Sequence, residues 1–380
     1  MTNENNEAGR PPPEHFLSLI RAQQRGRLKI YLGFAPGVGK TYKMLQDAHV
    51  LKRQGVDLVV GVVETHGRAD TAALIEGLEQ VPRRRIEYRG VTLEEMDQDA
   101  LLRRKPTVAL VDELAHTNAP DSRNAKRYQD VEELLRDGIN VITTVNIQHV
   151  ESLYDMIEGF TGVKVKERVP DYILAEADEV VYVDLASQDL QERLKAGKVY
   201  PAERIESALA NFFQEGNLSR LRELASEEIA HLLDRRRHSA KTDGPPSGAG
   251  RVMVCLSSRS PNAPLLLRKG ARLADRMHAP WHAVYIRTPA ERIDRIDAAT
   301  QRKIADAQDL ALKLGAFVTT YSGKDFPSAI ADYVRDNGIT VVVLGRSRRP
   351  WYKTWFGPSP LDRLTREMPR GVDVLIVDTG

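Results

Sequence analysis

The sequence has little cysteine and no long apolar run. Cys255 is the single cysteine among 380 residues, so the chain cannot form an internal disulfide, which fits a reducing compartment. No run of about 18 apolar residues is present to span a membrane, and the polar start with three prolines at 11–13 lacks the apolar stretch of a secretory signal. We therefore expect a cytoplasmic globular protein without membrane insertion, with Cys255 as a small buried residue in a strand.

Strong net charge is also absent. The chain has 55 Lys and Arg against 53 Asp and Glu, but residues 251–380 hold 21 of the basic and only 13 of the acidic side chains. This asymmetry allows the second part to bind an anionic ligand or an acidic surface. It is too small to predict a nucleic-acid partner, and none is expected.

A glycine-rich turn at residues 33–41, Gly-Phe-Ala-Pro-Gly-Val-Gly-Lys-Thr, lies between an apolar strand pattern at 28–32 and a helical pattern at 41–54. A strand, a glycine loop with Gly-Lys-Thr and a helix form the context of a phosphate-binding P-loop. In such a loop the backbone N–H groups and the helix start attract phosphate oxygens, the lysine reaches the β- and γ-phosphates, and the threonine ligates Mg²⁺. The predicted nucleotide-binding residues are Pro36, Gly37, Val38, Gly39, Lys40 and Thr41.

The spacing departs by one residue from the usual P-loop pattern, in which four residues separate the first glycine from Gly-Lys-Thr. Phe34 occupies that position and Gly33 precedes it. A purely structural glycine-rich turn is the alternative. We favour phosphate binding, with ATP and Mg²⁺ as cofactors, because a plain connection has no need for a lysine and a threonine directly after two spaced glycines.

Acidic residues follow two later strand patterns. The apolar run 58–63 ends at Glu64, and a second run ends at Asp112 and Glu113. Ligands of open α/β sheets bind at the carboxyl ends of strands, so these residues are expected at the same edge. We expect Asp112 to hold Mg²⁺ together with Thr41, and Glu113 to orient or deprotonate a nucleophile. The polar groups of residues 64–68, Glu-Thr-His-Gly-Arg, are candidate site residues, with Glu64 as a further candidate catalytic residue; a solvated loop that caps a helix is the alternative.

Two polar clusters follow at the same predicted edge. His116 comes just after the acidic pair, and Asn146 and His149 lie at the end of another strand pattern. We predict Asn146 as a cofactor-binding residue and His116 as a candidate catalytic residue, although a lone histidine is more often a hydrogen-bonded structural group. The histidines show no metal-ligand spacing, so no zinc is predicted.

Strand and helix patterns alternate along the chain, which predicts an α/β protein with mostly parallel sheets covered on both faces. Residues 1–24 are polar and contain proline, and they are predicted to be a flexible lead-in. Residues 239–250, rich in Gly, Pro and Ser, are predicted to be a linker. The predicted domains are therefore 25–238 and a smaller doubly wound domain at 251–380.

Two further helices are predicted from local patterns. Thr-Leu-Glu-Glu at 92–95 has the pattern of a capping box, which predicts a helix from there to about Lys105. In the second domain a long helical pattern runs from Pro289 to Leu314. Strand patterns surround it, beginning at residues 251, 281, 316, 340 and 372.

With both halves considered, the chain resembles the N-terminal cytoplasmic region of the KdpD-type potassium sensor histidine kinases over nearly all of residues 25–380. Four segments carry the resemblance: Pro-Gly-Val-Gly-Lys-Thr at 36–41, Val-Val-Glu-Thr-His-Gly-Arg at 62–68, Asp-Glu-Leu-Ala-His-Thr-Asn at 112–118 and Thr-Thr-Val-Asn-Ile-Gln-His at 143–149. The second half resembles a universal stress protein domain. The implied fold is a P-loop NTPase-like domain followed by a universal stress protein-like domain.

The resemblance implies an ATP-binding regulatory input region of a two-component system that responds to potassium and controls a potassium-uptake pump. Its implied partners are a histidine-kinase core, in the same chain or another, and the pump. The sequence shows no dimerisation helix with a phosphoacceptor histidine and no histidine-kinase ATP domain, so we expect a fragment or a short free-standing relative without histidine autophosphorylation. An active P-loop enzyme that moves the γ-phosphate to water or to a protein serine hydroxyl is the alternative.

A second ligand is a further alternative in the second domain. Some members of the family bind cyclic di-AMP through Ser-x-Ser, a 20-residue spacer and Phe-Thr-Ala-x-Tyr. Ser258 and Ser260 match the first block, and Trp-His-Ala-Val-Tyr, ending at Tyr285, matches the second with its first two positions changed. Strand alternation alone also produces such a block, so both interpretations stay open.

The nucleotide pattern of universal stress proteins, Gly-x₂-Gly-x₉-Gly-Ser/Thr, is incomplete. Gly345 is present, but Arg348 and Pro358 stand at the other glycine positions, which disfavours ATP binding there. The adjacent segment 346–356 interleaves cations with aromatic residues. Docking on a partner domain is our preferred functional interpretation of that segment, and packing on its own domain is the alternative.

Overall fold

The computed structural model describes residues 25–239, 250–258, 260, 262–289, 296–346 and 360–378. Several sequence predictions lie outside these residues: the lead-in at 1–24, positions 240–249 of the linker, the start of the helix predicted from Pro289, Arg348, Pro358 and the aromatic residues of segment 346–356. Within the described ranges, no helix combines the length and apolar character that crossing a bilayer requires.

By its contacts, the chain divides into two compact units. The first unit contains the described residues up to His149 together with Thr161–Val169 and Glu176–Ser226. The second unit contains Val150–Phe160, Pro170–Ala175 and the described residues from Glu227 onward. The second unit therefore includes segments that come before the predicted boundary at residue 238.

The first unit contains a parallel sheet and a separate hairpin. Its strands are β1 (Leu28–Gly33), β2 (Leu58–Val62), β3 (Glu79–Gln80), β4 (Arg84–Tyr88), β5 (Val91–Glu95), β6 (Val108–Val111), β7 (Asn140–Asn146) and β8 (Glu179–Val183). All except β4 and β5 join one six-stranded sheet in the order β3-β2-β6-β7-β1-β8, and every neighbouring pair is parallel. One strand, β7, thus separates β1 from β6.

Helices alternate with these strands along the chain up to residue 239. They are α1 (Lys40–Arg53), α2 (Ala69–Ala73), α3 (Gln98–Arg104), α4 (Arg127–Arg136), α5 (Tyr154–Thr161), α6 (Asp171–Glu176), α7 (Ser187–Lys195), α8 (Ala202–Ala210) and α9 (Glu215–Ser239). α1 packs through Met44, Leu45 and Ala48, which share one face at helical spacing, into a buried cluster with Tyr31 of β1. This packing holds the start of α1 over the carboxyl end of β1.

The helix predicted from residue 92 is wrong in its first part. Residues 92–95 belong to β5, which pairs antiparallel with β4, and α3 begins only at Gln98 with Asp97 as its capping residue. The turn residues Arg89 and Gly90 have φ of 49° and 79°, the two positive values of a tight hairpin turn. Cross-strand pairing of two alternating segments outweighed the local capping pattern.

The second unit is built on a second parallel sheet. Its strands are β9 (Val252–Leu256), β10 (Trp281–Arg287), β11 (Phe317–Ser322), β12 (Val341–Gly345) and β13 (Asp373–Val377), in the order β11-β10-β9-β12-β13. Its helices beyond α9 are α10 (Ala263–Arg276), α11 (Ala298–Lys313), α12 (Phe326–Asn337) and α13 (Pro360–Glu367). All neighbouring strands are parallel, so the predicted α/β class is confirmed. α11 begins later than predicted because Asp297 caps it, accepting the N–H of Thr300.

β9 shows why its sequence is apolar throughout. Val252 and Val254 contribute to the buried cluster on one face of the sheet, while Met253 and Cys255 contribute to the cluster on the other. Successive strand residues point to opposite faces, and both faces of a central parallel strand are covered. Cys255 is a buried free thiol, as predicted.

Candidate functional site

The glycine-rich turn joins β1 to α1 at the carboxyl edge of the first sheet. Gly37 and Gly39 have φ of 88° and 102°, a region that L side chains rarely adopt. At Gly37 a Cβ atom would also lie 2.5 Å from Cγ2 of Val199, so space as well as conformation requires glycine. Gly39 directly precedes α1, so the first N–H groups of that helix and its positive end are directed at the turn.

Lys40 is the first residue of α1, and its side chain is only 8% exposed. Its ammonium donates to Oδ1 of Asn146 and, at 3.4 Å, to the carbonyl oxygen of Ala35. Burial lowers the pKa of Lys40 to about 8, although the charge of Asp112 opposes this shift. Because the hydrogen-bond acceptors of this buried ammonium are neutral, an anion in the turn would stabilise its charged form.

Asp112, at the end of β6, is 1% exposed and faces the start of α1. The Thr41 hydroxyl lies 3.2 and 3.1 Å from its two carboxylate oxygens, which also accept the Thr144 hydroxyl and, at 3.2 Å, the Glu64 N–H. Burial raises the pKa of Asp112. Hydroxyl and carboxylate oxygens are the hard ligands that Mg²⁺ takes, so the donor set of Thr41 and Asp112 fits this ion.

β7 connects the lysine with the aspartate because it lies between β1 and β6. Its Asn146 accepts from Lys40 and its Thr144 donates to Asp112. Residues two apart on a strand share a face, so one strand supplies both contacts. Asn146 was a predicted site residue. Thr144 was not, and its signal in the sequence was the position two residues before Asn146.

Glu113 follows Asp112 and pairs with His66, whose Nε2 lies 2.8 Å from Oε1 of Glu113. Both residues have positive φ, 54° and 49°, which is uncommon outside glycine and concentrates at functional sites. The hydrogen bond to Glu113 raises the pKa of His66. Burial opposes ionisation of Glu113, but the hydrogen bond and charge of His66 hold the pKa of Glu113 below its ordinary value. The predicted Glu64 side chain instead pairs with Arg83 at 2.9 Å.

His116 belongs to an adjacent buried network. Its Nε2 lies 3.0 Å from Oε1 of Glu95, and Arg127, which is 1% exposed, donates to Glu95 at 3.1 Å. Arg127 also donates to the backbone carbonyl of Asp112 at 3.2 Å. The His116 side chain is thus linked to Asp112 through Glu95 and Arg127. Sequence reasoning missed both residues, and it had assigned Glu95 to a helix start.

A cavity of about 770 Å³ opens beside the glycine-rich turn, a volume typical of small-molecule sites. Residues of the turn, of α1 and of two later segments form its walls, among them Val38, Gly39, Tyr42, Arg68, Arg193 and Tyr200. Of these residues, Arg193 and Tyr200 come from a segment to which the sequence analysis gave no role in binding.

The second-ligand candidates lie in the second unit. In the turn after β9, which contains Ser258, the Oγ of Ser260 accepts the N–H of Ser257 at 3.2 Å. Tyr285 is 3% exposed and belongs to the core cluster on one face of the sheet, and Gly345 ends β12. The structure therefore places the Tyr285 side chain in the core and not on an open edge.

Two family models match the chain. One, described as osmosensitive K⁺ channel His kinase sensor domain, matches residues 24–233, and the universal stress protein family matches residues 249–378. Among solved structures, a universal stress protein in complex with cAMP is 18% identical and covers 35% of this chain and 100% of its own, with a TM-score of 0.28.

Relatives from several bacteria align along nearly the whole chain. The sensor protein KdpD of Escherichia coli is 45% identical over 98% of this chain and 42% of its own length, and that of Mycobacterium tuberculosis is 43% identical over 93% and 41%. A KdpD-type relative from Synechocystis sp. is 43% identical over 94% of this chain and 95% of its own. The chain thus spans less than half of the first two relatives and nearly all of the third.

Proposed function

The chain belongs to the KdpD family, and from this membership we propose that it binds Mg-ATP at the turn between β1 and α1 as a cytoplasmic regulatory input region of a potassium-responsive sensor kinase. The observation that carries the proposal is the position of Lys40 and Thr41. One faces Asn146 and the other faces Asp112, at the edge where a P-loop requires a phosphate and a Mg²⁺ site.

Each group has a role that follows from its chemistry. The N–H groups of the turn and the start of α1 would hold the phosphate oxygens, and the Lys40 ammonium would exchange its neutral acceptors for the β- and γ-phosphates. Thr41 and Asp112 would hold Mg²⁺, which when bound neutralises phosphate charge. Thr144 positions Asp112 through its hydrogen bond.

The bound nucleotide is the signal in this proposal. Because the first two relatives are more than twice as long as the chain, a histidine-kinase core, in the same polypeptide or in another, is the partner that would read the nucleotide state. That core would in turn control a potassium-uptake pump. The input region contributes its effect through differential affinity for the two states of the kinase.

Equilibrium binding of ATP, with and without Mg²⁺, tests the first step. Lys40→Ala is expected to raise the Kd for Mg-ATP at least about tenfold, because a charge-assisted contact to phosphate is lost. Asp112→Asn is expected to remove most of the Mg²⁺ dependence. Lys52→Ala, an exposed lysine on the same helix, is the control. Unchanged ATP affinity in Lys40→Ala would refute the proposal.

Phosphoryl transfer is a second candidate, favoured by the pairing of Glu113 with His66 next to Asp112. In it, the oxygen of water or of a protein serine bonds to the γ-phosphorus, the bond to the β–γ bridging oxygen breaks, ADP leaves and the nucleophile's proton passes to solvent. A carboxylate whose pKa is held low is better suited to orient the nucleophile than to retain its proton.

Radiolabelled γ-phosphate followed over time separates the two functions. An enzyme is supported if labelled phosphate is released, or transferred to added pump protein, in a reaction that requires Lys40 and slows at least about tenfold in Glu113→Gln. Intact but bound ATP supports a sensory module only. Glu113→Gln without effect on a measurable rate would remove Glu113 from the catalytic hypothesis.

A further inference from the structure

Two arginines, Arg68 and Arg193, line the cavity beside the glycine-rich turn. Arg68 lies directly before α2, and Arg193 lies on α7. The Nε atoms of both are buried and have no hydrogen-bond partner. Within the part of the chain that the structure describes, neither guanidinium forms an ion pair with a carboxylate. Buried, unused N–H donors of this kind are costly unless a ligand satisfies them.

Electrostatics supports the same conclusion. Burial lowers the pKa of Arg68; the charges of Asp112 and Glu113 oppose this shift, and the charge of Arg193 adds to it, so the two guanidinium groups act on each other. Like charges at short range in a partly buried site repel each other. An anion between them would convert that repulsion into attraction.

Both arginines belong to the same site as the glycine-rich turn. The side chain of Val199, in the segment after α7, packs against Gly37. The charge of Arg68 also acts on Lys40, whose pKa it helps to lower. The cavity wall therefore joins the N–H groups of the turn on one side to the two guanidinium groups on the other.

We propose that Arg68 and Arg193 bind the terminal phosphate of a nucleoside triphosphate held in the glycine-rich turn, and that α7 and the segment up to Pro201 thereby respond to the presence of that phosphate. This inference rests on the proposed function. The planar guanidinium fork suits a phosphate with its several oxygens, and two forks from separate elements suit the group farthest from the nucleoside. ADP lacks this group, so it leaves the two arginines without their partner.

Calorimetric titrations with Mg-ATP and with Mg-ADP test the inference. In Arg68→Gln and in Arg193→Gln the Kd for Mg-ATP is expected to rise about tenfold, while the Kd for Mg-ADP changes less than about twofold. Arg136→Gln, which makes the same change at an exposed position of α4 away from the cavity walls, is the matched control and should alter neither. Equal changes for ATP and ADP, or no change for either, would overturn the inference.

A purely structural role of Arg68 and Arg193 predicts a different result. If the two arginines hold the fold, either glutamine variant lowers the melting temperature of the nucleotide-free protein. If the two arginines form an anion site, the melting temperature of the nucleotide-free variant stays the same or rises, because one of two repelling charges has been removed. A lower melting temperature together with an unchanged ratio of ATP to ADP affinity would count against phosphate binding.

Amide hydrogen exchange checks the response of α7. ATP is expected to protect residues 187–201 more than ADP does in the wild type, and Arg193→Gln should lose this difference. Equal protection by both nucleotides would contradict the inference. The two proposals can fail separately. If Lys40→Ala binds ATP as tightly as the wild type, the proposed function is wrong. If Lys40→Ala weakens ATP binding but the arginine variants keep the wild-type preference between ATP and ADP, only the role of the arginines is wrong.

Discussion

Each of the two units contains a buried cationic side chain, and the two differ in the charge of their hydrogen-bond partners. In the second unit Arg268 of α10 is 6% exposed and is neutralised by Glu151 at 2.8 Å and Asp155 at 3.0 Å. In the first unit Lys40 is about as buried, but its hydrogen-bond acceptors are an amide and a carbonyl oxygen. A paired buried charge is a structural feature, whereas one without a counter-charge in contact indicates a site for an anion.

The two sheets extend this comparison. Both are parallel and apolar on their faces, so both offer a carboxyl edge where a ligand can bind. Buried charged residues occupy that edge in the first unit, at Lys40 and Asp112. In the second unit the buried charged residues of the described chain, Glu151, Glu228 and Arg268, lie on helical segments. The fold supplies the edge, and particular side chains make it a site.

Substituting the two buried cations gives the largest contrast. Arg268→Met should lower the free energy of unfolding by about 3–5 kcal/mol, because Glu151 and Asp155 lose the guanidinium that neutralises them, and Mg-ATP affinity should not change. Lys40→Met should leave the free energy of unfolding within about 1 kcal/mol of the wild type, because a poorly solvated charge is removed, while Mg-ATP binding is lost. Chemical denaturation and titration measure both. Equal destabilisation by the two substitutions would break the comparison.

Tyr285 tests whether the second sheet has a ligand site of its own. Tyr285→Ala should destabilise the protein by about 3 kcal/mol, since a buried ring is removed from the core, whereas Tyr285→Phe should cost about 1 kcal/mol or less. Scanning calorimetry of the variants checks this. Cyclic di-AMP that binds the wild type and loses affinity in Tyr285→Phe without loss of stability would show that Tyr285 serves a ligand instead.

Gly37→Ala tests how tightly the turn is held. It should lower the free energy of unfolding by about 1–3 kcal/mol and weaken Mg-ATP binding, because it strains the backbone and meets Val199. Gly39→Ala meets no atom within 4 Å, so it isolates the cost of backbone strain. Combining Gly37→Ala with Val199→Ala should recover the part due to the contact. No recovery would mean that conformation alone requires this glycine.

Proton uptake gives the smallest signal. With a pKa of about 8 in the free protein, Lys40 is about half protonated at that pH, and bound phosphate favours its charged form. Mg-ATP binding should therefore take up about half a proton near pH 8 and almost none near pH 6. Calorimetry in buffers of different ionisation enthalpy measures it. Uptake that is the same at both pH values would show that Lys40 is not the titrating group.

The same depressed pKa of Lys40 should make the free energy of unfolding rise with pH between about 8 and 10.5, where the unfolded chain binds more protons.

Regular local patterns were read correctly from the sequence. The glycine-rich turn, the apolar runs of β1, β2, β6 and β7 and the five strands of the second sheet follow from residue types a few positions apart. The hairpin of β4 and β5 was not predicted, because its stability comes from pairing between segments and from a two-residue turn with positive φ. Local capping preference was the weaker influence there.

Contacts between side chains far apart in the sequence were harder to predict. Lys40 and Asn146 are 106 residues apart, and their contact depends on β7 lying beside β1. Glu95, Arg127 and His116 meet for a similar reason. Nothing in the sequence near Arg68 indicates that it shares a cavity with Arg193.

The sequence by itself determined the α/β class, the two parallel sheets and the residues of the glycine-rich turn, because these depend on periodicity and on conformations that glycine alone adopts readily. Only the tertiary structure decided which charges are paired and which are left with neutral acceptors. Strand order and helix packing bring Asp112, Thr144 and Asn146 to Lys40 and Thr41, and they bring Arg68 and Arg193 to one cavity. Electrostatic energy depends on distance in space, which residue spacing along a chain does not specify.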